Sequence, residues 1–123
     1  MVGTIKHDFF RDFNAAFFTG DQHFLSEHVT EDVVWMMVGN EAICGKSAFL
    51  DAAFGVGGYT EMSYTIDSIV TQGLEAAAKG TMTMPGKNGE SKTYAYCDFY
   101  LLDKNPEQGG KIKEMVSFVI EIK

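Results

Sequence analysis

The run Ser91-Lys92-Thr93-Tyr94-Ala95-Tyr96-Cys97-Asp98-Phe99-Tyr100-Leu101-Leu102 reads as a strand. Side chains alternate along an extended chain, so Tyr94, Tyr96, Asp98, Tyr100 and Leu102 share one face, and Ala95, Cys97, Phe99 and Leu101 share the other. Neither face is polar enough to meet solvent along its length, which makes this an interior strand covered on both sides. Working outward, strands fit Glu61 to Thr71 and Leu74 to Met84 before it and Lys111 to Ile122 after it. Turn chemistry separates them at Gly73, at Pro85-Gly86 and Asn88-Gly89, and across Asp103 to Gly110. The second half of the chain is therefore a meander of long strands.

The first half is mostly helical. Ile5, Phe9, Phe10, Phe13, Ala16 and Phe17 fall within about 140° of arc at helical spacing, with Arg11 and Asn14 on the opposite side. Thr4 suits the start of this helix and Gly20 its exit. Asp21 is an N-cap for a short second helix that puts Phe24, Leu25 and His28 on one face. From Asp32 the period becomes strand-like through Val33, Val34, Trp35, Met36, Met37 and Val38, closed by Gly39 and Asn40. A third helix is expected from Ser47, as its N-cap, to Phe54, ended by Gly55, Gly57 and Gly58. This order is an α+β layout in which a curved sheet is covered by the early helices.

The chain has 123 residues, the length of one domain, and no linker or repeat divides it, so residues 1–123 are read as a single unit. Hydrophobic residues are 46% and charged residues 22%, the balance of a globular protein. Seventeen acids against ten bases give a formal charge of −7, and Arg11 is the only arginine. That excludes a sequence-independent grip on nucleic acid, which needs clustered Lys and Arg to displace counterions. The polar run Lys6, His7, Asp8, Arg11 and Asp12 interrupts any signal peptide, and no window is apolar enough to span a membrane, so a cytoplasmic protein is expected. Cys44 and Cys97 lack CxxC spacing and read as free thiols. His7, His23 and His28 show no metal-ligand spacing, and neither a metal nor a cofactor is expected. Gly45-Lys46-Ser47 is not a phosphate-binding loop, because the first glycine that loop requires would be position 40, which is Asn40.

The chemistry centres on Asp98. An ionised carboxylate on an aromatic face loses hydration, which raises its pKa or forces it to find donors such as tyrosine hydroxyls. Held neutral in an apolar pocket, such a group donates a hydrogen bond or a proton. It could equally face a water-filled cavity or pair with a lysine across the sheet. His28 reads as a hydrogen-bonded residue at the core's edge, and the methionines read first as packing residues. On the last strand Met115, Ser117 and Val119 share one face, and Val116, Phe118 and Ile120 the other. One face lines the interior. The other is too apolar for solvent, so a homodimer through the outer sheet face is expected, with Phe99, Phe118 and Ile120 at the contact.

The ordered set of an aromatic helix, Gly20-Asp21, a short helix, Glu31-Asp32-Val33-Val34-Trp35, Ile43-Cys44-Gly45-Lys46 opening a third helix, and strands ending in Gly110-Lys111-Ile112-Lys113-Glu114-Met115 resembles the nuclear transport factor 2-like superfamily. It is most similar to SnoaL-like and ketosteroid isomerase-like domains. The resemblance implies an α+β cone-shaped barrel, a strongly bent mixed β-sheet wrapped around the N-terminal helix with two further helices, and a deep apolar pocket. It also implies dimers formed through the sheet. Members include isomerases, cyclases, dehydratases, epoxide hydrolases and non-catalytic binding modules, so fold alone leaves function open.

Set against ketosteroid isomerase, Phe13 stands where that enzyme has its tyrosine, Met37 where it has its base, and Asp98 where it has a neutral aspartic acid. One role of three survives, and steroid isomerisation is not expected. Two readings follow. In the first, the protein acts on a small apolar carbonyl compound, with Asp98 and Tyr96 as catalytic candidates. Phe13, Phe17, Trp35, Met37, Phe54, Met82, Tyr100, Met115 and Ser117 then line the pocket. In the second it is a non-catalytic dimeric module that binds an apolar ligand or a protein.

Overall fold

The computed structural model describes residues 2–54, 63–85 and 89–122, with side chains from His7 onward. Helix α1 (Val2–Thr19) and helix α2 (Gln22–Glu27) come first, followed by β1 (Val29–Met37), the short β2 (Ile43–Cys44) and helix α3 (Lys46–Phe54). The rest is β3 (Ser63–Tyr64), β4 (Ser68–Gln72), β5 (Glu75–Pro85), β6 (Ser91–Leu102) and β7 (Ile112–Ile122), with a 3-10 turn at Pro106–Gln108. The strands form one mixed sheet in the order β2-β1-β7-β6-β5-β3, with β4 also paired to β5. β1 runs parallel to β7, and every other pairing is antiparallel. The sheet is open, and this is the α+β arrangement expected.

The interior strand is where the alternation put it. β6 pairs with β5 on one side and β7 on the other along nearly its whole length. Its inward face meets α1: the Tyr100 ring lies 5.2 Å from Phe10 and 5.7 Å from Phe13, and Tyr96 lies 5.4 Å from Phe18. α3 packs against β1, and Phe49 reaches Phe17 at 5.8 Å and Trp35 at 5.3 Å. Phe10, Phe13, Leu25, Val29, Val33, Phe49, Leu102 and Ile112 are the buried centre of this core.

Several local expectations change. Helix α1 is already helical at Val2, so Thr4 lies inside it rather than at its cap. Asn14, read as facing away from the apolar stripe, is 1% exposed, and Phe18 is buried beside it. A helix held in the concave side of a sheet buries more of its circumference than the half-turn stripe of a surface helix. Ser47 falls within α3, whose first bond runs from Phe49 N–H to the Gly45 carbonyl. Asp21 does cap α2, accepting from Phe24 N–H at 3.1 Å, and Gly20 leaves α1 at φ 78°. The strand expected over Glu61 to Thr71 is divided into β3 and β4, with Thr65–Asp67 between them.

The break has a local cause. Tyr96 OH donates to the Thr65 carbonyl at 2.7 Å, which draws that carbonyl out of the ladder while Thr65 N–H still reaches Thr81 O at 2.8 Å. Gly80, opposite Tyr96, makes room for this, because a Cβ there would sit 2.1 Å from the Thr65 oxygen. The side chains of Thr4 and Ile5, the glycines at 55, 57 and 58, the strand start at Glu61 and the turn residues Gly86 and Asn88 lie outside the described residues. No described helix is long and apolar enough to cross a membrane.

Candidate functional site

Between α1 and the inward faces of β1, β5, β6 and β7 lies a cavity of about 160 Å³. Its wall is Asn14, Phe17 and Phe18 from α1, Trp35 and Met37 from β1, Ala53 from α3, Met82 from β5, Tyr96 and Asp98 from β6, and Met115, Ser117 and Val119 from β7. It is apolar apart from a small cluster around one carboxylate. Asp98 is 8% exposed, and it stands directly opposite Ser117 in the β6–β7 ladder and Ala78 in the β5–β6 ladder.

Hydrogen bonds converge on that carboxylate from two directions. Trp35 Nε1–H donates to Ser117 Oγ at 2.9 Å, and the Ser117 hydroxyl bonds Asp98. Asn14 Nδ2–H donates to Tyr100 OH at 3.0 Å, and Tyr100 OH donates to Asp98 Oδ2 at 3.4 Å. An indole N–H has no acceptor capacity, and a hydroxyl has one proton to give. Trp35 therefore occupies a lone pair on Ser117 and leaves its proton for Asp98, while Asn14 does the same to Tyr100. Both chains make Asp98 an acceptor.

Burial pushes the Asp98 carboxyl up to about 6, against the downward pull of the hydrogen bonds from Ser117 and Tyr100. At neutral pH it is mostly ionised, by about ten to one. Burial, reinforced by the charge on Asp98, holds the Tyr96 and Tyr100 phenols above their ordinary value, so both stay protonated. A carboxylate with a raised pKa in an apolar wall is a competent proton acceptor near pH 7.

Of the residues expected at the site, Asp98, Tyr96, Phe17, Trp35, Met37, Met82, Met115 and Ser117 are on the cavity wall. Phe13, Phe54 and Tyr100 are not. Phe13 is fully buried behind the wall, edge-on to Phe17 at 5.6 Å, and Tyr100 sits behind Asp98 as its hydrogen-bond donor. The only proton of the Tyr96 hydroxyl goes to the Thr65 carbonyl. Asn14, Phe18, Ala53 and Val119 are wall residues that the sequence reading did not name as such. The signal for Asn14 was its place in a helix otherwise crowded with phenylalanine. His28 caps α2, its Nδ1 lying 2.7 Å from the Phe24 carbonyl, away from the cavity. Lys46 pairs with Glu31 at 3.0 Å. Among the described residues no His, Cys, Asp and Glu side chains gather as a metal site.

An open mixed sheet bent around a first helix, with an apolar cavity between them, is the architecture of the nuclear transport factor 2-like superfamily. The family model described as the SnoaL-like domain matches residues 10–115, and the chain belongs to that family. Solved structures agree. A protein described as a SnoaL-like polyketide cyclase from Jannaschia superposes with a TM-score of 0.78 at 13% identity, covering 96% of this chain and 87% of that one. An epoxide hydrolase-like structure from Mycobacterium tuberculosis gives 0.76 at 16% identity, covering 95% and 84%. A ketosteroid isomerase-like protein from Erwinia carotovora gives 0.68 at 22% identity, covering 95% and 93%. At these identities the likeness is one of fold. No protein of curated function matches the chain.

Proposed function

We propose that this SnoaL-like protein binds a small, largely apolar carbonyl compound in the cavity under α1 and moves a proton on it with Asp98. The observation that carries this reading is the buried Asp98 carboxylate on an otherwise apolar wall, held as an acceptor by Ser117 and Tyr100. The role is that of a base that becomes an acid once loaded, not that of a neutral donor, because the hydrogen bonds around Asp98 favour its charged form.

Size narrows the ligand. A dry cavity of roughly 150 Å³ holds one benzene ring, whereas pockets for drug-sized ligands run from about 300 Å³ upward. At about 160 Å³ this one suits a monocyclic or short-chain compound and is too small for a four-ring steroid.

The homodimer belongs to the same reading. Met36 on β1, Val38 just after it, Phe99 on β6, and Phe118, Ile120 and Ile122 on β7 are exposed. Phe99 and Phe118 meet edge-on at 6.0 Å, and Ile120 is 70% exposed. A continuous apolar face of this kind favours a second subunit.

The test is deuterium uptake at the α-carbon of small monocyclic ketones in D2O, followed by proton NMR. Wild-type protein should accelerate uptake over buffer, and Asp98→Asn should bind the ketone and leave uptake at the buffer rate. Equal uptake by the two proteins would refute the role of Asp98. Uptake at the buffer rate with both proteins would leave a non-catalytic binding module.

A further inference from the structure

We propose that the cavity under α1 takes a small primary amine as its ammonium ion, with Asp98 as the counter-charge and the Asn14 amide oxygen as a second acceptor. This goes beyond the proton transfer proposed for the same cavity and stands without it, because Asp98 serves here as a charge and not as a base. A buried asparagine inside a helix of phenylalanines has to be explained, since an amide stripped of water loses free energy unless its groups are paired. Asn14 is 1% exposed and lines the cavity. Its nitrogen faces the Tyr100 hydroxyl behind the wall at 3.0 Å, and no donor reaches its oxygen among the described residues.

The polar atoms left over on the wall are acceptors. The donors are committed inside the protein: Trp35 Nε1–H to Ser117 Oγ, the Ser117 hydroxyl to Asp98, and the Tyr96 hydroxyl to the Thr65 carbonyl. A carboxylate offers about four lone-pair sites, and Ser117 and Tyr100 fill only part of those on Asp98. A ligand that satisfies this wall therefore brings hydrogens rather than lone pairs. An ammonium group brings donors alone.

Charge selects the ammonium over a hydroxyl. Among the described residues no Lys, Arg or His pairs with Asp98, and none stands on the cavity wall. A charge buried without a partner is unfavourable, and an ammonium ion beside the carboxylate compensates it while the same contact offsets the ion's own lost hydration. Asn14 Nδ2 and Asp98 Oδ2 bind the same Tyr100 oxygen, at 3.0 and 3.4 Å, so the two side chains border the same part of the cavity. Phe17, Phe18, Trp35 and Tyr96 supply aromatic rings around that space, and a ring attracts a cation held over its face within about 6 Å. At about 160 Å³ the cavity admits one ring or a short chain behind the nitrogen.

The experiment titrates the full chain with cyclohexylamine and with cyclohexanol at about pH 8 by calorimetry, and follows the Asp98 carboxyl and the Asn14 side-chain carbonyl by ¹³C NMR. The amine should bind at least about tenfold tighter than the alcohol, which has the same ring and no charge. Asp98→Asn should bring the amine down to the alcohol's affinity. In the amine complex the Asp98 carboxyl should titrate below about 6, since Ser117, Trp35, Asn14, Ala78, Tyr96 and Tyr100 around it are uncharged and leave the ligand as the cause. The Asn14 carbonyl signal should move downfield as its oxygen accepts, and Asn14→Leu should weaken the amine by about tenfold. Should Asn14→Leu not fold, the Asn14 carbonyl of the wild-type protein decides alone. An amine that binds no tighter than the alcohol, or one that keeps its lead in Asp98→Asn as it would on the acidic outer surface, would overturn the inference. An unmoved Asn14 carbonyl with amine bound would overturn the part given to Asn14. Deuterium uptake by a chain that refuses the amine would strike this inference and leave Asp98 as base, whereas amine bound without uptake would strike the base and support the ammonium site.

Discussion

Ser117 and Asp98 face each other across the β6–β7 ladder, and the proton that Ser117 gives to Asp98 is directed there by Trp35 on a third strand. Three adjacent strands thus set the state of one carboxylate. β1 supplies a group that only donates, β7 relays, and β6 receives. On the helix side, Asn14 and Tyr100 repeat the pattern.

Ser117→Ala removes the relay. The carboxylate then loses a donor while its burial is unchanged, so its pKa should rise further above about 6. Trp35 Nε1–H, 7% exposed as a residue, is left without its partner. Hydrogen bonds to charged groups contribute about 1.5 to 3 kcal/mol, so a loss of roughly 2 kcal/mol is expected at pH 8 and less at pH 5. Urea unfolding at the two pH values, with a ¹³C titration of the Asp98 carboxyl, measures both effects. An unmoved titration would show that Ser117 does not serve the carboxylate.

The ordinary value of the Asp98 carboxyl is 3.8, and burial pushes it up to about 6 in the folded chain. Between those values the folded state keeps a proton that the unfolded state has released, so this group lowers stability as pH rises through the window. Above it the full penalty is about 3 kcal/mol, an upper figure because groups around the site relax. Asp98→Asn carries no such penalty. Its stability relative to wild type should grow from about pH 4 to about pH 6 and then level, which paired melts across that range would show. A constant difference would mean that the carboxyl is not desolvated.

Activity should follow the same group with the opposite sense. If Asp98 acts as a base, deuterium uptake rises with pH, reaches half its maximum near 6 and levels above that. A neutral acid would produce uptake that falls over the same range. The pH profile of kcat/KM for an exchanging ketone therefore separates two roles that one static carboxyl permits.

The outline of the fold was legible because it rests on local periodicity. The alternation through Tyr94 to Leu102 and the glycine-marked turns needed no tertiary knowledge, and β6 has the expected bounds. Asp98 was legible too, since a lone acid on an aromatic face is anomalous wherever it lies. Its partners were not. The register that sets Ser117 opposite Asp98 depends on the turn at Pro106–Gln108 and on the bulge between Leu101 and Leu102, neither of which the strand pattern encodes. Asn14 was misplaced because a stripe of phenylalanines implies one buried side, while this helix is buried on more than one. The Tyr96 hydroxyl was readable as a polar group on the inner face, but its commitment to Thr65 depends on a contact across the sheet.

Gly80→Ala tests that contact. The new methyl would lie 2.1 Å from the Thr65 oxygen and 2.8 Å from the Tyr96 hydroxyl, too close for either to remain. Overpacking of a fixed backbone contact costs typically about 1 to 3 kcal/mol. The variant should lose that much stability and should also widen the cavity wall at Tyr96, weakening ketone binding. Tyr96→Phe keeps the glycine and removes only the hydroxyl, so it should lose about 1 kcal/mol with little change in binding. Thermal melts and ketone titrations of both variants check this, and an undisturbed Gly80→Ala would show that the Thr65 backbone moves freely.

The outer face carries the last prediction. Phe118 is 43% exposed and Phe99 49%, and together with Ile120 they form the centre of the proposed dimer contact. A two-fold interface uses the same patch twice, so one substitution changes both sides. Phe118→Glu therefore introduces two carboxylates into a contact that excludes water, where each loses hydration and repels the other. The expected outcome is a dimer for wild-type protein at micromolar concentration and a monomer for Phe118→Glu, with an unchanged far-ultraviolet spectrum. The cavity lies on the opposite face of the sheet, so the monomer should still bind ketone. Native mass spectrometry reads the assembly directly, and a wild-type monomer at that concentration would rule the interface out.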